Sequence, residues 1–369
     1  MLKTPSAVQA RLTVPKLYFF SWFLRSWQLL HSKLEVSGRS WLYSIMEKSF
    51  SASNHVSGAL LMMVLGLAAL SITTVEAQLV PDYYKTNGCP NAENVISSAV
   101  TSAYNANRAS MAGVLRMHFH DCFVNGCDGS VLIDSPSEKD AIPNQTLQGF
   151  EVIDAAKTAV EKECKGIVSC ADILALASQL AVKQLSGGKI TWKVPTGRKD
   201  GLVSTAASTN GKLPPPTASV ALLKSIFAGV GLSTEQMVTL SGGHSVGVAH
   251  CGAFQNRLTP TVDPTLDPAY AASLKQSCPT STSTNTVNLD VTTPTRLDEV
   301  YYKNLQVKKG LLTSDQNLQN DAETQPIVAQ NANFATFGPR FKNAMIAMGN
   351  INVKTGSAGN IRLNCRKFN

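Results

Sequence analysis

A chain of 369 residues, 44% of them apolar, is long enough for one large domain or two modest ones around a substantial buried core. Its 33 lysines and arginines exceed its 25 acidic residues, a formal charge of +8, and half of that surplus lies in residues 1–77. No basic stripe interleaved with stacking aromatics is present, which argues against nucleic-acid binding; the mild positive charge suits a soluble protein working near an anionic matrix.

The first elements in the chain are targeting signals. From Met46 the order is Lys48, a polar stretch, an apolar run over 59–70, and then Val75-Glu76-Ala77 before Gln78. That order predicts a secretory signal at 46–77 with cleavage after Ala77. The apolar run is too short for a comfortable span, so a signal is favoured over a retained anchor, and no membrane span is expected in the mature form. Residues 1–45 stand ahead of an already complete signal and are read as an upstream extension that is not translated. All eight cysteines lie beyond position 77. In an exported chain an even number reads as four disulfides, with many pairings open. No C-x-x-C pair occurs, which disfavours a zinc ribbon or a thioredoxin-type site.

Apolar residues at three-to-four spacing predict helices over 91–104, 110–123, 149–164, 170–185, 220–230, 234–251, 270–277 and 324–348. Ser169 and Ser233 supply start signals, and Asn87-Gly88, Gly187-Gly188, Asn210-Gly211 and Pro214-Pro215-Pro216 supply turns. Strand-like runs are short and few, 190–194 among them. The fold class is mainly α with long, disulfide-stapled loops and very little β.

Four histidines follow the signal: His118, His120, His244 and His250. Arg116 and His120 stand four apart, so on a helix they share a face, with Phe119 adjacent and His118 turned away. A base and a permanent cation aimed at one spot suit a reaction that deprotonates a substrate and then stabilises negative charge. Taken alone, the pair also fits a solvated helix face, and shared metal ligation by His118 and His120 is disfavoured because i and i+2 diverge. His244 lies in Ser241-Gly242-Gly243-His244-Ser245, where small neighbours leave room for a flat group to approach; the blander alternative is a satisfied core histidine. His250 is expected to be exposed.

Two long motifs, Arg116-Met117-His118-Phe119-His120-Asp121-Cys122-Phe123-Val124-Asn125-Gly126-Cys127-Asp128-Gly129-Ser130 and Ser241-Gly242-Gly243-His244-Ser245, resemble those of the class III secretory plant peroxidases, the horseradish type. Supporting motifs are Val168-Ser169-Cys170-Ala171-Asp172-Ile173, Gly197-Arg198-Lys199-Asp200, Leu311-Leu312-Thr313-Ser314-Asp315-Gln316 and Ile361-Arg362-Leu363-Asn364-Cys365. The resemblance runs from about Gln78 to the last residues.

It implies a two-lobed fold holding one haem b between a distal lobe, roughly 78–200, and a proximal lobe, roughly 201–345, with the C-terminal segment returning to the distal lobe. His120 would move the peroxide proton, Arg116 would stabilise negative charge, and Asn144 would accept from His120, with Glu138 in the same network. Phe119 would contact haem. His244 would ligate iron with Asp315 accepting its other ring proton, and Pro214 would offer its carbonyl to aromatic donors. Two calcium ions are implied, one on Asp121, Val124, Gly126, Asp128 and Ser130, the other on Ser245, Asp290, Thr293, Arg296 (through its carbonyl) and Asp298. The implied bridges are Cys89–Cys164, Cys122–Cys127, Cys170–Cys365 and Cys251–Cys278.

The chain departs from the pattern at Ser245, where threonine is usual, at Leu289, where the horseradish-type enzyme has an aromatic, and at Ile142, Thr217 and Ala253 along donor access. The implied activity is reduction of hydrogen peroxide with one-electron oxidation of small phenolic or aromatic donors, serving cell-wall cross-linking, lignification or the oxidative-stress response. A monomer secreted to the cell wall is expected rather than a vacuolar protein, since the chain stops four residues after Cys365. A scaffold that has lost catalysis and a generator of reactive oxygen species are the competing readings. The sequon Asn144-Gln145-Thr146 conflicts with a buried role for Asn144 and is expected to be unmodified.

Overall fold

In the computed structural model, residues 79–369 are described, apart from 136, so the expected signal and upstream extension lie outside the described residues. The order is β1 (Val80–Pro81), α1 (Tyr83–Thr86), α2 (Ala92–Ala106), α3 (Ser110–Val124), α4 (Phe150–Glu163), α5 (Cys170–Leu185), β2 (Pro195–Thr196), α6 (Val220–Gly229), α7 (Thr234–Ser241), β3 (Val248–His250), α8 (Pro268–Ser277), β4 (Thr286–Asn288), α9 (Val300–Gln306), α10 (Thr313–Asn320), α11 (Gln325–Asn331) and α12 (Phe334–Met348). The strands form two short antiparallel pairs, β1 with β2 and β3 with β4. Among the described residues no helix is long and apolar enough to cross a membrane.

Local chemistry explains several boundaries. Ser169 Oγ accepts from Asp172 N to start α5, and Ser233 and Gln236 form a reciprocal capping box on α7. The helix expected over 234–251 stops at Ser241. Gly242 and Gly243 weaken it, a 3-10 turn covers Gly242–Ser245, and Gly247 takes φ +95° before β3 pairs with β4. The helix expected over 324–348 is two: Asn333 adopts an extended conformation, and its side chain accepts from Ala335 N to start α12 afresh. The run 190–194 is not a strand, because only Pro195 and Thr196 find a partner. Helices α1, α9 and α10 are too short for periodicity to announce.

Apolar side chains gather into three clusters. One joins α2, α4 and α5; a second joins α6, α7, α9, α11 and α12; a third surrounds the Cys251–Cys278 bridge and α8. Helix α3 serves the first two at once, with Met111, Val114 and Met117 in one and Leu115, Cys122 and Phe123 in the other. All four implied disulfides form: Cys89–Cys164, Cys122–Cys127, Cys170–Cys365 and Cys251–Cys278.

The buried charges of the supporting motifs are structural. Asp172 accepts from Tyr84 Oη (2.6 Å), Gly197 N (2.7 Å) and Arg198 Nη1 (2.7 Å), while Arg198 also donates to Gly349 O (2.6 Å). Asp200 accepts from Ala171 N (2.9 Å) and Arg362 N (2.8 Å), and Arg362 Nη2 donates to Gly129 O (2.6 Å). These bonds fasten the C-terminal segment and the start of α5 to the loop that follows α3.

Removing one member of such a buried pair strands the other in the core. Asp172→Ala is therefore expected to lower unfolding free energy by about 3–5 kcal/mol, read by urea denaturation with disulfides intact. A loss below about 1 kcal/mol, the value of a surface pair, would mean that Arg198 is satisfied elsewhere.

Candidate active site

Helix α3 projects Arg116 and His120 from the strip its two clusters leave open. The pair meets along the helix, Arg116 Nε donating to His120 Nε2 at 3.2 Å. Arg116 also donates to Thr146 Oγ1 (2.9 Å) and Pro143 O (3.0 Å), which ties it to the segment before α4. That segment can lie so close because position 113 is glycine: a Cβ there would come within 2.6 Å of Gln148 O.

The same segment brings in Asn144. His120 Nδ1 and Asn144 Oδ1 are 2.6 Å apart, and Asn144 Nδ2 donates to Glu138 O at 2.9 Å. The second bond fixes which end of the amide faces the ring. His120 therefore carries its proton on Nδ1 and presents a lone pair at Nε2. Burial, with help from Arg116, holds the His120 pKa down at about 3, so the ring is neutral near pH 7 with its Nε2 lone pair unprotonated. Phe119 stands edge-on to His120 with ring centres 5.5 Å apart.

His244 sits in the 3-10 turn after α7, and its Nδ1 lies 2.8 Å from Asp315 Oδ1 on α10. Asp315 Oδ2 accepts from Leu312 N (3.2 Å), which pins the carboxylate. Burial opposes protonation of His244, but Asp315 outweighs it and the pKa is raised. The side chain is nevertheless 41% exposed, so the ring is open to solvent on one side. Arg116 is likewise exposed yet surrounded closely enough for burial to lower its pKa, and its charge reaches His244. Two imidazoles with fixed Nδ1 protons thus share one neighbouring cation, Arg116, whose charge reaches both. A flat group with a metal centre fits this donor set: His244 Nε2 has no hydrogen-bond partner among the described residues, and a Cβ added at Gly243 would meet nothing within 4 Å.

The first implied cation set gathers after α3. Val124 ends the helix, Gly126 takes φ +94° inside the Cys122–Cys127 loop, and Asp121, Asp128 and Ser130 are buried. Asp121 accepts from Gly129 N (2.9 Å) and Asp128 from Ser130 N (3.0 Å). Ser130 Oγ and Glu138 Oε2 are buried without a hydrogen-bond partner among the described residues, as a cation site would leave them. Burial first, then Asp128, pushes Glu138 up to about 7, and burial with Asp128 raises Asp121, the behaviour of carboxyls crowded together out of solvent.

The second set also converges. Ser245 Oγ donates to Arg296 O (2.7 Å), and Thr293 Oγ1 donates to Asp298 Oδ1 (3.0 Å) and lies 3.4 Å from Asp290 Oδ2. Thr293, Arg296 and Asp298 border a surface pocket that opens this cluster to solvent. Pro214 is half-buried, and its carbonyl accepts no hydrogen bond among the described residues. Ile142 is 83% exposed, Thr217 is exposed, and Leu289 packs beside Gly247.

Four contributors were not visible in the sequence. Tyr301 Oη donates to the same Asp315 Oδ1 (2.9 Å) that faces His244, Asn125 Nδ2 donates to Glu138 Oε1 (3.0 Å), Thr146 holds Arg116, and Lys354 Nζ reaches Asp128 Oδ2 (2.6 Å). Each acts across the fold, and the short helix carrying Tyr301 gave no periodic signal. His118 faces away from the cleft beside Cys122 (Nδ1 to Sγ, 3.7 Å). The His118, Cys122 and Cys127 cluster is no metal site, because both sulfurs are in a disulfide.

Comparison with known proteins bears on this geometry. A model of the peroxidase family matches residues 96–333. The chain is 46% identical over 331 residues to Peroxidase 5 of Vitis vinifera, covering 86% of this chain and 99% of the relative. It is 47% identical over 294 residues to Peroxidase 71 of Arabidopsis thaliana, covering 78% of this chain and 88% of the relative.

Two outcomes follow from the burial of these groups. Burial holds the His118 pKa at about 3 against an ordinary 6.5, so the unfolded chain binds a proton that the folded chain refuses. Stability falls as pH drops from 6.5 toward 3, and in urea titrations His118→Gln should flatten that fall by up to about 1.4 kcal/mol per pH unit; an unchanged slope would place the acid sensitivity elsewhere. Asn144, 2% exposed with its amide engaged, has no room for a glycan. Peptide mapping of the native protein should find it unmodified, and a glycopeptide there in active enzyme would contradict the geometry.

Proposed function

Since the chain belongs to the class III plant peroxidase family, haem enzymes that act on hydrogen peroxide, we propose a division of labour among its own residues. When bound, the haem supplies the iron centre at which the peroxide O–O bond is cleaved and through which donors lose single electrons. His120 accepts the peroxide proton at Nε2 and returns it to the leaving oxygen. Asn144 keeps that lone pair in place by holding the Nδ1 proton, and Arg116 offsets negative charge as the bond breaks. Phe119, edge-on to His120, would pack against the haem. His244 would ligate the iron, and Asp315, accepting a hydrogen bond from its Nδ1–H, would raise its donor strength.

The observation that carries this reading is the pairing of each histidine with an oxygen acceptor, 2.6 Å for His120 and 2.8 Å for His244, with the charge of Arg116 reaching both rings. A catalytically silent scaffold has no use for either pair.

The finer reading follows from the same residues. Small phenolic or aromatic donors meet the exposed edge near Pro214, with Ile142, Thr217 and Ala253 making the approach less aromatic than in the horseradish type. Calcium occupies both oxygen sets and stiffens the helix end beside each histidine. The protein is a secreted monomer made with the signal at 46–77, residues 1–45 not being translated. Its distal lobe is roughly 78–200 and its proximal lobe roughly 201–345. Its work is in the cell wall, in cross-linking, lignification or the oxidative-stress response.

The test is a stopped-flow absorption experiment on the haem-loaded, calcium-loaded mature chain with one equivalent of hydrogen peroxide. A rapid shift of the haem band is expected, slowed by about 100-fold or more in His120→Ala. Slow bleaching of the unsubstituted protein would remove His120 from the proton-transfer role.

A further inference from the structure

The loop after α3 crowds Asp121, Asp128 and Glu138 together, and the described structure sends one ammonium to meet them. Asp121 is occupied by backbone N–H groups from Gly129 (2.9 Å) and Val131 (3.4 Å). Asp128 divides its oxygens: Oδ1 accepts from Ser130 N, and Oδ2 takes Lys354 Nζ at 2.6 Å. Gly201 lies against that carboxylate so closely that a Cβ would collide with it, and Lys354 is the one side chain that reaches Oδ2 among the described residues.

The lysine is delivered by the C-terminal segment and not by the loop itself. Cys127 N donates to Ile351 O (3.0 Å), and Lys199 N donates to Lys354 O (2.7 Å), which fixes the backbone on both sides. The geometry is asymmetric in exposure. Asp128 is 1% exposed in its side chain, whereas Lys354 is 27% exposed and has a path to solvent. Its ammonium can leave, while the carboxylate cannot.

On the reading that this loop holds calcium, we propose that Lys354 is a built-in competitor for the ion, lowering calcium affinity at this site and making its occupancy exchangeable. Calcium affinity is tuned over decades by the net charge its ligands present. A permanent positive charge hydrogen-bonded to a ligating carboxylate cancels part of that charge and repels the arriving cation. With calcium absent, the same ammonium neutralises part of the carboxylate cluster and keeps the loop from flying apart. The pair therefore serves as a stand-in that calcium must displace or push outward. Asp121 directly follows His120, so occupancy of this loop is transmitted to the end of the helix that bears the distal base.

The experiment is isothermal calcium titration of the EGTA-treated, haem-loaded mature chain, with the distal step identified as the one lost in Asp121→Asn. Lys354→Met should tighten that step by about tenfold or more, leave the other step unchanged, and lower the melting temperature only when calcium is absent. Lys354→Arg, which keeps the charge, should retain the native affinity. Equal or weaker binding in Lys354→Met would overturn the inference while leaving the calcium site standing, and would make Lys354 a strut that holds Asp128. If no step is lost in Asp121→Asn, the calcium reading of the loop fails and the inference goes with it. The melting difference between calcium-free and calcium-loaded Lys354→Met gives a second readout that does not depend on haem turnover.

Discussion

Helix α3 has to bury apolar side chains in two clusters at once, and that constraint organises the chemistry. Met111, Val114 and Met117 belong to one cluster and Leu115 and Phe123 to the other, so the strip that remains is narrow. Arg116 and His120 occupy it, one turn apart, and the helix cannot rotate to hide or redirect them without exposing one core or the other. The Cys122–Cys127 bridge and the bonds from the C-terminal segment then hold its far end. Precision at the cleft is therefore a consequence of packing on both sides of one helix.

The two histidines are held in the same manner but by partners of different charge. An amide oxygen faces His120 and a carboxylate faces His244, each at Nδ1, so each ring keeps its lone pair at Nε2, where Arg116 Nε donates to His120 and nothing among the described residues meets His244. The neutral amide adds no charge, and burial keeps His120 unprotonated. The carboxylate raises the basicity of His244, which is what its proposed role as iron ligand calls for. Tyr301 donates to the Asp315 oxygen that faces His244 and so moderates the carboxylate, a control that the tyrosine exerts without touching the histidine.

The buried ion pairs have a structural role that the motif resemblance did not distinguish from chemistry. Asp172 with Arg198, and Asp200 with Arg362, are removed from solvent; both carboxylates accept backbone N–H bonds, and Arg362 Nη2 donates to Gly129 O. Their contribution is registry, since they fasten the last segment of the chain to a loop more than 200 positions earlier. That fastening is also what brings Lys354 onto Asp128.

Much was legible from the sequence alone, for a stated reason. Six of the eight expected helices stand close to where periodicity placed them, and Arg116 and His120 do share a face, because both properties depend on spacing within one helix. The long motifs were enough for the family and for the four disulfide pairings. Local spacing could not say that the helix carrying Thr234 would stop at Ser241, where a Cβ on Gly242 would strike Tyr302 and Phe337. Nor could it show that His244 and Asp315, 71 positions apart, would meet, or that Lys354 would reach Asp128 across 226. Resemblance named the first of these pairs and was silent on the second. Those contacts are selected by which faces pack together, a property of the whole core that only the tertiary structure decides.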